Sequence, residues 1–195
     1  MIERANTQAP YRRLDGREWY AAVIARDDAG VETPRDPQGH WPSGIGHGCI
    51  VRQDLRPGLV LTRFDLATLH PLSLNWPATP RPQPVVELSF MLAGGCQHRF
   101  PGVIDDTVPL FAGDLNLTYG TGRTGSIEEV PAGVQQGVSL LLDLALLRIL
   151  TDEIADDLPL LKNAAREEPL ILHRPMTARQ MTVVQSAARA LRMIP

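Results

Sequence analysis

The sequence predicts a mainly β domain that is followed by α-helices at the C-terminal end of its 195 residues. Between residues 48 and 143 the apolar runs are of strand length, and Gly, Pro or Asp separates them. Many short strands with turn signals between them are typical of a sandwich or a barrel. After Asp143 the apolar residues recur at helical spacing instead. A chain of this length is ample for one such domain without disulfides.

The middle of the chain carries the clearest strand signals. Gly94-Gly95 stands between two apolar runs and predicts a hairpin, because glycine accepts the positive φ angles of tight hairpin turns. Gly113-Asp114 predicts a turn that leads into the next strand. The strands predicted in this region are 85–92, 96–100, 110–119, 126–130 and 137–142.

Three further strands are predicted before this region. Pro57-Gly58 suits a turn between the first two of them, and the third alternates apolar and polar residues. The prolines between residues 77 and 84 predict a loop, because proline cannot donate to a strand ladder. These strands are 48–52, 59–66 and 72–76.

Residues 1–47 are interpreted as an arm that wraps the main domain. Three prolines interrupt its second half, and a partly disordered leader is the alternative interpretation. Within the arm, residues 19–25 suit a strand and a short helix equally.

The C-terminal segment, residues 144–195, is predicted to be helical. Asp143 is expected to cap a first helix, a short helix should cover 152–158 and end before Pro159, and Thr177 should cap the last helix. That last helix carries an apolar stripe, which we expect at the contact of a homodimer: Met181, Val184, Ala188 and Leu191. The alternatives are that this helix packs on its own domain or joins a neighbouring domain.

Charge and composition exclude several classes of protein. The net charge of −3 does not suit a nucleic-acid-binding surface, which is normally basic. Two cysteines do not form a disulfide framework, and the N-terminus has no apolar core of a secretory signal. The most apolar run, 138–150, is interrupted by charged residues and is too short to span a bilayer. We therefore expect a soluble cytoplasmic protein.

The order of these segments resembles the cupin-like N-terminal domain of AraC-type transcription regulators. The resemblance covers residues 45–195 and depends on the run before Gly94, the Gly113-Asp114-Leu115 turn and the apolar run that closes the barrel. The tail 169–176 and the helix after it are most similar to the siderophore-responsive branch, typified by the pyochelin regulator.

This resemblance implies a cupin-like barrel or jelly roll at 48–143 that binds a small-molecule effector, with a ferric siderophore as the candidate. It also implies that 144–195 serves dimerisation and the link to a DNA-binding domain. Members of the family contact DNA through C-terminal helix-turn-helix units, which are absent from this chain. They bind a ferric chelate whole, so that no protein ligand to iron is required.

The ligands that metal-dependent cupins use are missing from the sequence. Such barrels carry two His two residues apart, a Glu and a third His, whereas His98 stands alone here and Gln136 takes the place of the third His. Since catalytic zinc sites usually need three protein donors, we predict no metal and no cofactor. One alternative stays open: His47-x-Cys49 and Cys96-x-His98 would bring four donors together if their strands paired.

A binding pocket inside the barrel is the remaining candidate site. A small barrel can enclose one ligand, held by apolar walls and a few polar groups. Two aromatic rings would stack on it, and two guanidinium groups would pair with a carboxylate or phenolate. The predicted ligand-binding residues are Arg63, Trp76, Glu87, His98, Arg99 and Tyr119, and no catalytic residue is predicted.

The predicted function is therefore ligand sensing and dimerisation in a transcription regulator. Two alternatives stay open. One is a metal-dependent cupin enzyme, an isomerase or dioxygenase, which would need metal at high occupancy. The other is a free-standing binder of a small molecule.

Overall fold

The computed structural model describes residues 11–23, 44–78, 85–120, 125–151, 158–166 and 168–190. The strands in these ranges are β1 (Arg12–Asp15), β2 (Gly46–Arg56), β3 (Leu59–Thr68), β4 (Leu72–Trp76), β5 (Val85–Ala93), β6 (Gly95–Phe100), β7 (Ile104–Phe111), β8 (Asp114–Tyr119), β9 (Ser126–Val130), β10 (Gly133–Asp143) and β11 (Leu170–Pro175). The helices are α1 (Gly16–Val23), α2 (Leu144–Leu150), α3 (Pro159–Ala165) and α4 (Ala178–Ala190).

The strands form two sheets that share one core. The five-stranded sheet has the order β1-β4-β9-β6-β7, and the six-stranded sheet has the order β11-β8-β5-β10-β3-β2. The pair β1–β4 is parallel, and the other described pairs are antiparallel. Leu72 and Leu74 of the first sheet pack against Ile50 and Met91 of the second. This architecture, with helices after the strands, confirms the predicted mainly β fold class.

The predicted hairpin at Gly94-Gly95 is wrong. β5 pairs with β8 and β10, whereas β6 pairs with β7 and β9 in the other sheet. Gly94, with φ +76°, carries the chain from one sheet to the other. A side chain there would collide with the carbonyl oxygen of Val134. The glycine is therefore needed for a close approach to β10 and not for a two-stranded turn.

Two regions differ from the prediction. The predicted strand 110–119 is divided between β7 and β8, and β7 begins earlier, at Ile104. Pro109 is tolerated in β7 because this strand lies at the edge of its sheet. β11 lies in the segment predicted to be helical and pairs antiparallel with β8 at the opposite sheet's edge. Its pairing partner is about 50 residues earlier in the sequence, so local patterns could not reveal it.

The described part of the predicted N-terminal arm supports the core. Residues 19–25, which suited a strand or a helix equally, form helix α1 as far as Val23. Asp15 accepts the backbone N–H groups of Arg17 and Glu18, so it caps this helix. Trp19 is buried in the core together with Val23, four residues on and therefore on the same helix face. Other parts of the predicted arm, 1–10 and 24–43, lie outside the described residues.

The caps of two C-terminal helices are confirmed. Asp143 Oδ1 accepts the N–H of Leu146 at 2.6 Å and begins α2. Thr177 exchanges hydrogen bonds with Gln180, a capping box at the start of α4. Pro159, expected to end a helix, is instead at the start of α3, where its missing N–H does no harm. The helix predicted at 152–158 falls almost entirely outside the described residues.

Helix α4 packs on its own domain. Val184 and Ala188, predicted at a dimer contact, are each 7% exposed and contact Leu61 and Val138 on the outer face of the six-stranded sheet. Met181 is half-buried, and Leu191 lies outside the described residues. At Val184 and Ala188, its two most buried positions, the apolar stripe therefore packs within the chain. In the described part of the chain no helix is both long and apolar enough to cross a membrane.

Candidate functional site

A cavity of about 790 Å³ lies between the two sheets. Because side chains alternate along a strand, one face of each strand lines it and the other packs outward. Thr62 and Phe64 of β3 line the cavity, whereas Leu61 packs outward against α4. On β10, Ser139 and Leu141 line it in the same way. The six-stranded sheet thus separates the cavity from the helix.

Three of the predicted ligand-binding residues have side chains that line the cavity. Trp76, Glu87 and His98 line the cavity and are half-buried. Tyr119 borders the cavity too, but its strand face is that of Leu117, and it is buried against Leu160 of α3.

The two predicted arginines do not belong to the cavity lining. Arg63 is 8% exposed and lies on the outer face of β3, where its Nη2 is 2.7 Å from Asp65 Oδ2. Arg99 is exposed and pairs with Glu129 on the outer face of β9. Neither arginine meets the cavity, because each is one residue away from the strand face that lines it.

Two other arginines supply the positive charge of the cavity. Arg17 of α1 and Arg52 of β2 line it, and both are exposed, so they lie where it opens to solvent. Arg17 donates to the carbonyl oxygen of Pro77 at 3.2 Å, and Arg52 lies 3.8 Å from the Asp54 carboxylate. Sequence reasoning missed both arginines, because the residues around them do not indicate which side chains face the core.

A cluster of three potential metal ligands lies in the five-stranded wall. Cys96 and His98 are two residues apart on β6 and share a face, and His98 is in register with Glu128 on β9. Their donor atoms all lie within 4.8 Å of one another. Cys96 Sγ is 3.1 Å from His98 Nε2. The sequence offered no signal for Glu128, which reaches the cluster only through the β6–β9 register.

Neighbouring aromatic residues hold this cluster in place. Trp76 donates its indole N–H to Glu128 Oε2 at 3.1 Å. The His98 ring is stacked on Phe100, with centroids 5.8 Å apart and planes at 6°. Tyr20 of α1 meets Trp76 edge-on at 6.2 Å. The carboxylate and the imidazole therefore have fixed orientations.

The environment of Cys96 keeps its thiol protonated. Burial raises the pKa of Cys96 well above its ordinary value, and the nearby Glu128 carboxylate raises it further, both by its charge and by accepting the thiol hydrogen bond. A thiol with a raised pKa is a poor nucleophile. The arrangement therefore does not suit thiol-based catalysis.

The four donors His47, Cys49, Cys96 and His98 do not converge. β2, which carries the first two, is at the edge of the six-stranded sheet and does not pair with β6. Among the described residues, the cluster that replaces this hypothesis keeps Cys96 and His98 and adds Glu128.

The opposite wall is polar at its centre. Ser89 Oγ lies 3.0 Å from Ser139 Oγ and donates to Glu87 at 3.3 Å. Asn116 is 3% exposed and lines the cavity. Its amide donates to Pro109 at 3.5 Å, while its Oδ1 has no hydrogen-bond partner in the described part of the chain. A buried acceptor of this kind favours a ligand that brings a donor.

Comparisons with known proteins bear on the fold and the family. The family described as the regulatory protein PchR N-terminal domain matches residues 45–192. No curated protein matches the chain. Among solved structures, ToxT from Vibrio cholerae is 8% identical with a TM-score of 0.48, over 67% of this chain and 47% of that one. Ectoine synthase from P. lautus is 13% identical with a TM-score of 0.36, over 70% and 83% of the two chains. EutQ from Clostridium difficile is 11% identical with a TM-score of 0.33, over 50% and 69%.

Proposed function

Because the chain belongs to the family of PchR N-terminal domains, whose match covers residues 45–192, we propose that it is the effector-sensing domain of an AraC-type transcription regulator. The effector binds in the cavity between the two sheets, and DNA is contacted by a separate helix-turn-helix domain of the regulator. The domain senses its ligand and does not transform it.

The cavity is the observation that carries this proposal. Its volume of about 790 Å³ lies within the range of about 300–1,000 Å³ that is usual for small-molecule sites. Its wall combines the aromatic side chains of Trp76 and Phe100 with polar groups at Glu87 and Ser139. Such a wall gives a ligand contact area together with a few orienting hydrogen bonds.

The candidate effector is a ferric siderophore with aromatic and anionic groups. Arg17 and Arg52 lie at the opening, where they can pair with a carboxylate or phenolate. Trp76 offers a ring for stacking further inside. The wall also carries the carboxylates of Glu87 and Glu128, so the anionic end of the ligand should remain near the two arginines.

The first test is a calorimetric titration of the chain with ferric pyochelin. Arg52→Ala should weaken binding by about tenfold, the effect of losing about 1.4 kcal/mol, which is the scale of a partly exposed charge-assisted contact. Arg99→Ala is the matched control, because Arg99 is equally accessible but outside the cavity. The proposed ferric-siderophore effector is wrong if no ferric siderophore binds. The proposed role of Arg52 is wrong if the two variants weaken binding equally.

A homodimer also remains our proposal. Since Val184 and Ala188 pack within the chain, a dimer contact should use apolar side chains that α2 and α4 leave exposed. Ile149 is 73% exposed, Leu150 54% and Val183 61%. If Ile149→Glu with Leu150→Glu leaves the molar mass measured by light scattering equal to that of a dimeric parent chain, α2 is not the contact.

A further inference from the structure

We propose that Cys96, His98 and Glu128 form a binding site for a single Zn²⁺-type divalent metal ion in the wall of the cavity. The site goes beyond effector sensing, because a ferric chelate that is bound whole needs no metal ligand from the protein. Thiolate, imidazole and carboxylate together are the donor types that Zn²⁺ accepts.

The strands deliver these three donors without rearrangement of the backbone. Cys96 and His98 share one face of β6, and the β6–β9 register sets Glu128 beside His98. β6 is held on both sides, by β7 and by β9. Donors on paired strands are more firmly positioned than donors on loops. Cys96 is 3% exposed, so water competes little for its sulfur.

The distances suit one ion between the donors. Zn–S and Zn–N bonds of about 2.3 and 2.0–2.1 Å at a tetrahedral angle separate the two ligand atoms by about 3.5 Å. Cys96 Sγ and His98 Nε2 are 3.1 Å apart, and small side-chain rotations supply the difference. A carboxylate oxygen of Glu128 lies within 4.8 Å of both.

Neighbouring groups complete the site in the way that metal centres require. Metal ligands are usually oriented by outer hydrogen bonds, and here Trp76 holds one oxygen of Glu128. Three protein donors leave a fourth position, as in zinc sites that bind an exchangeable ligand.

Metal binding releases one proton. The Cys96 thiol, which donates to Glu128 in the metal-free chain, loses its proton to solvent as the sulfur–metal bond forms, and the metal keeps its oxidation state. The Glu128 carboxylate then contacts the ion in place of the thiol proton. The net charge of the cluster rises by one, because a divalent ion enters and one proton leaves. Proton release is measurable by titration in two buffers of different ionisation enthalpy.

Cobalt substitution tests the site directly. The 195-residue chain should bind one Co²⁺, with thiolate-to-cobalt absorption in the near ultraviolet, and Zn²⁺ should displace it. Cys96→Ser should abolish that absorption, and Glu128→Gln should weaken Zn²⁺ binding more than the roughly 10- to 100-fold loss that follows removal of an outer-shell partner. Trp76→Phe should fall within that smaller range. Cys49→Ser is the matched control, because Cys49 lies on β2 in the other sheet.

The proposal is overturned if Co²⁺ gives no thiolate absorption, or if Cys96→Ser keeps it. It is also overturned if Cys49→Ser abolishes it. Circular dichroism identifies any variant that does not fold, and Glu128→Gln then decides in place of Cys96→Ser. Binding of Zn²⁺ without any siderophore would refute only the proposed effector. Siderophore binding unchanged by Cys96→Ser, in a chain that binds no Co²⁺, would refute only the metal site.

Discussion

Replacing Val184 by alanine should lower the free energy of unfolding by about 2 kcal/mol. Val184 is 7% exposed and packs against Leu61 and Val138 of the six-stranded sheet. The change removes two buried carbon atoms at about 0.8 kcal/mol each, and the small cavity left behind accounts for the rest. Urea denaturation followed by far-ultraviolet circular dichroism measures the effect.

Val183→Ala is the matched control for this experiment. Val183 is the neighbouring residue on the same helix and has the same side chain, but it is 61% exposed. Its replacement should change the free energy of unfolding by no more than about 0.5 kcal/mol. Since Val184 packs within the chain, its effect should also be the same at low and high protein concentration, unlike that of a subunit contact. Equal effects of the two variants, or a loss at Val184 that grows with dilution, would refute the intramolecular packing of α4.

The core, a cap and the buried thiol give four further predictions. Leu72 is 0% exposed, and Leu72→Ala should lower the free energy of unfolding, measured by urea denaturation, by about 2–5 kcal/mol. Leu69 is 57% exposed, and Leu69→Ala should lower it by at most about 0.5 kcal/mol. Similar losses in the two variants would contradict the placement of the core. Asp143→Ala should cost about 1 kcal/mol through loss of the α2 cap, and an unchanged urea midpoint would argue against that cap. In the metal-free chain, Cys96 should react with iodoacetamide far more slowly than Cys49, because burial raises the pKa of its thiol. The unfolded chain ionises this thiol above about pH 8.5, so its contribution to stability is complete below that pH and is lost as the pH rises toward the folded pKa; Cys96→Ser should reduce the fall in stability between about pH 7 and pH 10.

Local patterns were enough for much of the secondary structure. β4 and β9 have the predicted boundaries, because alternation and turn residues are properties of neighbouring residues. The caps at Asp143 and Thr177 were predictable for the same reason. Which strands pair was not predictable in this way, since β5 and β6 are adjacent in sequence and belong to different sheets.

The residues of the candidate site could be predicted only in part from local sequence patterns. β3 is buried on both faces, with Leu61 under α4 and Thr62 at the cavity. A strand buried on both sides has no polar face from which its orientation can be read, and Arg63 was consequently assigned to the wrong one. Glu128 became part of the site through pairing with His98, about thirty residues earlier in the sequence. Such a pairing joins strands that are distant in the sequence, so local patterns do not reveal it.

Strand β10 separates the cavity from helix α4. Ser139 faces the cavity, and Val138, the residue before it, faces α4. A movement of this strand caused by the cavity contents is at the same time a movement of the surface on which α4 rests. The wall of the cavity and the support of α4 are therefore adjacent residues of one strand, joined by a single peptide unit.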